Sequence, residues 1–303
     1  AFRVTTSVGG IWNLFQHLRE NWSKYPPRNE KMKKEIADGA ARTIFYSYLF
    51  FTAVSTVVGS ITLPIIAKFL VHCATLKSSN RVSNSSEYIP YRTLLFDSYP
   101  LVATNTLTNS FLLSYEMYVM IYWNIMYFCC DGWFGQFTTH VCLQFRVLRD
   151  DIEALVQQED PKIDLKSNYV CIIRRHQELL RICDTIEEVF SPLVLIVVLL
   201  SSVDICINLF DLTELSSQGK YSMALPHIGL VSGTFCQIIF YCAFAERLVY
   251  ESSSVADALY NSDWVSKTKE YKVYTQIIIM RAQSPVYCTA YGFFPINHLR
   301  LSS

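Results

Sequence analysis

Phe111, Tyr115, Tyr118 and Tyr122 recur at spacings of 4, 3 and 4 residues, which puts four rings on one face of a helix. Rings on the wall of a cavity suit small, mostly apolar molecules, and phenol hydroxyls add one or two directional hydrogen bonds. The competing reading of such a stripe is ordinary packing between helices. Glu116 is the one carboxylate in this apolar run. A charge at the centre of a bilayer costs about 3 kcal/mol on insertion scales, so Glu116 must face protein or a water-filled cavity. It is polar lining of a pocket or a buried hydrogen-bonding group.

Other candidates are sparser. Thr56 and Ser60, four residues apart, share a face of another apolar helix and offer hydroxyls. Gly229 and Gly233 form a GxxxG pair, a signal for close helix approach before anything else, and Phe235 lies beside them. No chemistry of the bond-making kind is visible. There is no GxSxG, no HExxH and no phosphate-cradling glycine loop, and the six histidines are scattered. The expectation is no catalytic residue, no metal, no cofactor and no enzyme.

The elements that must position these residues are membrane helices. The 303 residues are 51% apolar and only 17% charged, below the usual quarter for a soluble domain. Lys plus Arg and Asp plus Glu number 26 each, so nothing suggests a nucleic-acid partner. The ten cysteines form no CxxC pair and read as reduced packing residues. Four stretches can cross a bilayer, which takes about 20 residues: 44–71, 107–130, 189–210 and 224–245. None alternates as a barrel strand does, so the predicted class is an all-α membrane protein.

Basic residues orient the chain. Segments 1–43, 131–188 and 246–303 hold eight, seven and six Lys or Arg, against three in 72–106 and one in 211–223. The positive-inside rule makes the first set cytoplasmic. The sequon at Asn84 falls in an outer segment and is the predicted glycosylation site.

The helices outlast the membrane. Phe134, Phe137, Val141, Phe145, Leu148, Ile152 and Leu155 make a near-heptad stripe beyond the second span, and Leu248, Val255 and Leu259 do the same beyond the fourth. Half-apolar helices need partners, so these extensions predict a cytoplasmic helical bundle. The alternative is helices lying on the lipid surface, but their polar faces mix acidic with basic residues.

Several short stretches carry a resemblance. They are the Tyr-rich second span, Arg175-His176-Gln177-Glu178-Leu179-Leu180 ahead of the third span, and a final cluster. That cluster comprises Phe240-Tyr241-Cys242, Tyr260-Asn261-Ser262-Asp263-Trp264, Arg281-Ala282-Gln283-Ser284-Pro285 and Ala290-Tyr291-Gly292-Phe293-Phe294. In these the chain resembles the insect odorant receptor family.

The resemblance implies a seven-helix bundle with a cytoplasmic N-terminus, whose four spans seen here are helices three to six. It implies domains in the order 1–43 (cytoplasmic, with the tail of helix two), 44–245 (transmembrane, with a cytoplasmic hairpin 131–188), 246–284 (anchor helices) and 285–303 (start of the pore helix). It also implies that both ends continue beyond this sequence. As partners it implies an odorant co-receptor subunit in a heterotetramer, membrane lipid, a small volatile ligand, and residence in the plasma membrane of a sensory neuron dendrite. The function implied is odorant-gated cation conduction. The pocket implied lies in the outer half of the membrane, where Phe111, Tyr115, Tyr118, Glu116, Ser60, Thr56 and Phe235 are the candidate contacts and Tyr122 is too deep. The alternatives are a gustatory-type chemoreceptor channel, a G-protein-coupled receptor, which the basic-residue order opposes, and a transporter, for which no internal repeat is visible.

Overall fold

The computed structural model describes residues 4–78, 106–157, 165–262, 264–265 and 268–296. Its six helices are α1 (Val4–Lys24), α2 (Glu30–Ser78), α3 (Thr106–Gln157), α4 (Leu165–Ser217), α5 (Tyr221–Tyr260) and α6 (Lys269–Ala282). Among the described residues the one β feature is an isolated bridge between Thr289 and Pro295. The fold is all-α.

Among the described residues, three helices are by length and composition apolar enough to cross a membrane, within Glu30–Gly59, Ser167–Ser217 and Ala224–Tyr260. The expected span 107–130 is helical within α3 but is not one of the three. Its Tyr118, Tyr122, Trp123, Asn124 and Tyr127 depress mean hydropathy, although rings of this kind are at home near membrane interfaces.

Contacts divide the chain into two compact units. Unit 1 holds 1–47, 131–203 and 235–303, and unit 2 holds 48–130 and 204–234.

Unit 1 is built on the long stripes. Phe134, Phe137, Val141, Phe145, Leu148, Ile152 and Leu155 of α3 are all buried. They pack with Leu14 and Leu18 of α1, Leu179, Ile182 and Ile186 of α4, Leu248, Val255 and Leu259 of α5, and Tyr271 and Ile278 of α6. Fully burying each such aliphatic side chain is worth roughly 1.5–3 kcal/mol, which is what stabilises helices too amphipathic to stand alone in water. Gly135 lets α5 come close to α3: a Cβ there would sit 3.0 Å from the Phe240 ring.

Polar ties fix the register of this core. Arg146 Nε donates to Glu251 Oε1 at 2.6 Å, with Arg149 at 3.8 Å from the other oxygen. Arg175 is buried, donates to Gln144 and Asp151, and lies 4.7 Å from the Tyr25 ring. Arg28 completes the Asp151 pairing at 2.9 Å. Breaking one partner of a buried pair is the costly change, because the other charge stays behind. Burial also pushes the thiols of Cys142, Cys183 and Cys288 above their usual range, which disfavours the nucleophilic thiolate.

After α6 the chain is not helical over 285–296, the described part of the segment 285–303 in which the start of a pore helix was implied. Pro285 and Pro295 bracket a tight turn in which Tyr291 and Gly292 have φ of 53° and 76°. Residues 297–303 lie outside the described part.

Candidate functional site

The aromatic stripe lies in unit 2, on the first half of α3. Phe111, Tyr115, Tyr118 and Tyr122 are 73%, 55%, 66% and 52% exposed, which sets them on the open face of the helix. The Tyr118 and Tyr122 rings stack with centroids 6.3 Å apart. Glu116 is fully buried. One residue along a helix turns about 100°, so Glu116 points away from the ring face, toward the interior of the unit. The structure therefore gathers the rings but does not bring the carboxylate to them.

Thr56 is exposed, and its hydroxyl donates back to the Thr52 carbonyl at 2.7 Å, the usual way a helix satisfies such a group. The Ser60 side chain and Asn84 lie outside the described residues. Phe235 is 47% exposed and belongs to unit 1. Gly229 packs closely, a Cβ there lying 3.0 Å from Val57 of α2, whereas Gly233 has no neighbour within 4 Å. Only the first glycine of the pair meets a helix among the described residues.

The polar system of unit 2 was missed. Asn208 Nδ2 donates to Asp204 Oδ1 at 3.0 Å, and Thr234 Oγ1 donates to Asp204 Oδ2 at 2.8 Å. Asn208 Oδ1 is 2.9 Å from His227 Nδ1, and Asp211 lies 3.8 Å from the same ring nitrogen. This chain of contacts ties the C-terminal end of α4 to the N-terminal part of α5. Across α2 and α3, Ser55 Oγ donates to Asn124 Oδ1 at 3.2 Å, and Phe51 meets Phe128 at 4.4 Å. A signal was present: Asp204 and Asn208 stand four apart within an apolar run, as Glu116 stands within another. Interhelical bonds of this kind are worth about 1 kcal/mol in a membrane.

Within the described residues of unit 2, these polar side chains bond to one another. Among the described residues no group of three His, Cys, Asp or Glu could hold a metal ion. Unit 1 is likewise structural in its chemistry. His176, below the apolar run of α4, is pushed down to about 4 by burial and then by Arg281, and burial also lowers His140. Neither ring is poised as a base near pH 7.

Comparison with known proteins agrees with the helix order. A family model described as 7tm Odorant receptor matches residues 8–299. Odorant receptor 67c of Drosophila melanogaster is 24% identical over 190 residues, covering 60% of this chain and 46% of that protein. The odorant receptor coreceptor of Anopheles gambiae is 26% identical over 125 residues, covering 41% of this chain and 26% of that protein. The chain thus spans less than half the length of these curated relatives. Among solved structures, the insect olfactory receptor OR5 from Machilis hrabei superposes with a TM-score of 0.78 at 18% identity, over 97% of this chain and 71% of that one. The same receptor in complex with eugenol gives 0.73 at 19% identity, over 96% and 70%.

Proposed function

The chain belongs to the 7tm odorant receptor family, and from that premise we propose that it is an odour-tuning subunit of a ligand-gated cation channel. The observation that carries the reading is the family match across residues 8–299, which takes in α2 to α6 and all but the first four residues of α1. A multi-pass receptor in an olfactory family has no enzymatic task. The subunit sits in the plasma membrane of a sensory neuron dendrite and assembles with an odorant co-receptor, a partnership supported by the likeness to co-receptors over 125 residues.

Its ligand is a small volatile molecule with a mostly apolar body. The open ring face of Phe111, Tyr115 and Tyr118 supports this, because rings bury apolar surface while their hydroxyls grade one polar substituent against another. The eugenol complex of the structural relative, a small phenolic ligand in the same fold, supports the same class. Binding shifts a closed–open equilibrium only as far as the ligand prefers the open form. Unit 1, with its buried ion pairs, holds the subunit fixed while residues within the bilayer move.

The test is co-expression of the full gene product with a co-receptor, followed by recording of currents under a panel of volatile ligands. Odorant-evoked cation current that needs both chains is the expected result. A complex that forms and reaches the surface but conducts under no ligand, or a response that survives without the co-receptor and needs G proteins, would sink the reading.

A further inference from the structure

The turn over 288–296 is held to α4 by two side chains that no part of the proposed ligand site uses. Thr289 N–H donates to Glu187 at 3.0 and 3.2 Å from its two oxygens, and the Thr289 hydroxyl donates to the same carboxylate. One helical turn further along α4, Ser191 Oγ accepts the Tyr291 N–H at 2.7 Å. The turn is also bonded within itself. Gly292 N–H reaches Thr289 Oγ1 at 2.8 Å, Phe293 N–H reaches the Ala290 carbonyl at 3.0 Å, and Ile296 N–H reaches Cys288 at 2.9 Å. Cys288, Ala290 and Ile296 are buried beneath it.

This segment is strained where Ser191 holds it. Tyr291 has φ of 53°, a region that costs a residue with a Cβ about 1–2 kcal/mol. Gly292 follows at 76° without that cost. An aromatic residue stays in such a conformation only when its surroundings over-determine it, and here the bonds to Thr289 and Tyr291 do so. Pro192 stands beside Ser191, inside α4. It has no N–H for the carbonyl of Glu188, so α4 has its natural bending point at the clasp.

We propose that Glu187 and Ser191 are positioning residues that clasp the turn 288–296 to α4, so that this turn must follow any bend of α4 at Pro192. The gating consequence of this clasp rests on the receptor reading above; the clasp itself does not. Glu187 binds one end of the turn through two donors of Thr289, its N–H and its hydroxyl, and Ser191 binds its strained tip. Two attachments on one helix face transmit rotation as well as translation, which a single attachment would not.

The experiment takes the full receptor complex in lipid nanodiscs and compares wild type with Glu187→Ala, Glu187→Gln, Ser191→Ala and Thr289→Val. Hydrogen–deuterium exchange reads the clasp, and odorant concentration–response in cells reads its consequence. In Glu187→Ala the amides of Thr289 and Tyr291 are expected to exchange at least about tenfold faster, with those of α6 unchanged. The half-maximal odorant concentration should shift at least about threefold, and Glu187→Ala combined with Thr289→Val should shift it no further. Where Glu187→Ala fails to reach the membrane, the isosteric Glu187→Gln takes its place. Unchanged exchange at 289–291 overturns the clasp. Faster exchange with a wild-type concentration–response overturns its positioning role. A wild-type complex with no odorant current removes the receptor reading, while the exchange result still decides whether Glu187 holds the turn.

Discussion

The carboxylate of Asp131 on α3 receives two donors from one turn of α5: the Tyr241 hydroxyl at 2.6 Å and Gln237 Nε2 at 2.9 Å. All three side chains are buried, and the Phe134 ring lies 4.9 Å from that of Tyr241. The pair of bonds pins α3 to α5 in a single register, since sliding either helix by one residue breaks both. Asp131→Ala removes the acceptor shared by two buried donors, and losing the partner of a buried polar group costs about 1–3 kcal/mol. Tyr241→Phe removes one donor and leaves the acceptor with Gln237, so its loss should be near the lower end of that range. Thermal unfolding of the detergent-solubilised protein should show Asp131→Ala clearly lower in midpoint than Tyr241→Phe. Equal midpoints would mean the carboxylate does not act as the shared acceptor.

Ligand potency should depend on the open face of α3 and not on the buried carboxylate. Tyr118→Ala removes a ring that is 66% exposed and stacked on Tyr122, so the fold tolerates the loss. If that face meets ligand, the lost ring contact is worth about 1 kcal/mol, or roughly a fivefold higher half-maximal odorant concentration. Tyr118→Phe separates the ring from its hydroxyl: ligands with a polar group should weaken while apolar ones hold. Glu116→Gln should alter surface expression before potency, because Glu116 is fully buried. A panel in which Tyr118→Ala and wild type respond alike would remove this face from the pocket.

The sequence reveals the parts of this protein that repeat and hides the parts that pair across distance. The stripe from Phe134 to Leu155 is legible because burial on one side of a helix demands spacings of three and four. The ring stripe is legible for the same reason, but periodicity alone does not say that Glu116 turns to the other side while sitting beside Tyr115. Asp204, Asn208, Thr234 and His227 form one hydrogen-bonded chain from two helices. Only the spacing of the first two is a local signal, and the others become partners through tertiary packing. A pore-helix start within 285–303 was implied by the family resemblance alone, although Pro285, Gly292 and Pro295 are local signals of a turn at 288–296. Its geometry instead comes from Glu187 and Ser191, about a hundred residues earlier.

By the positive-inside rule the order of basic segments predicts that residues 72–106 lie outside, and with them the sequon at Asn84. Asn84→Gln should therefore remove one N-glycan from the protein made in insect cells, seen as a faster band that matches the glycosidase-treated wild type. The sequon at Asn21 should carry none, and its Asn21 side chain is buried in α1. A glycan on Asn21 with none on Asn84 would reverse the topology and revive the G-protein-coupled alternative.

His176 makes unit 1 sensitive to acid. Its ring is buried against Phe145, and burial together with Arg281 lowers its pKa from 6.5 to about 4. The sign follows from the lowered value. Above pH 6.5 the ring is neutral in both folded and unfolded chains, so it makes no difference to stability. Between 6.5 and about 4 the unfolded chain takes up a proton that the folded chain refuses, so stability falls as pH falls, by up to about 1.4 kcal/mol per unit. Below the folded value the loss is complete. His176→Gln keeps the size and polarity of the side chain and removes the titration. Unfolding midpoints taken at pH 7.5 and pH 5 should thus converge for the variant relative to wild type, although other groups in the chain also titrate and keep both slopes from zero. The difference between the two slopes isolates His176. Parallel pH profiles for the two proteins would show that the ring is not held neutral by its burial.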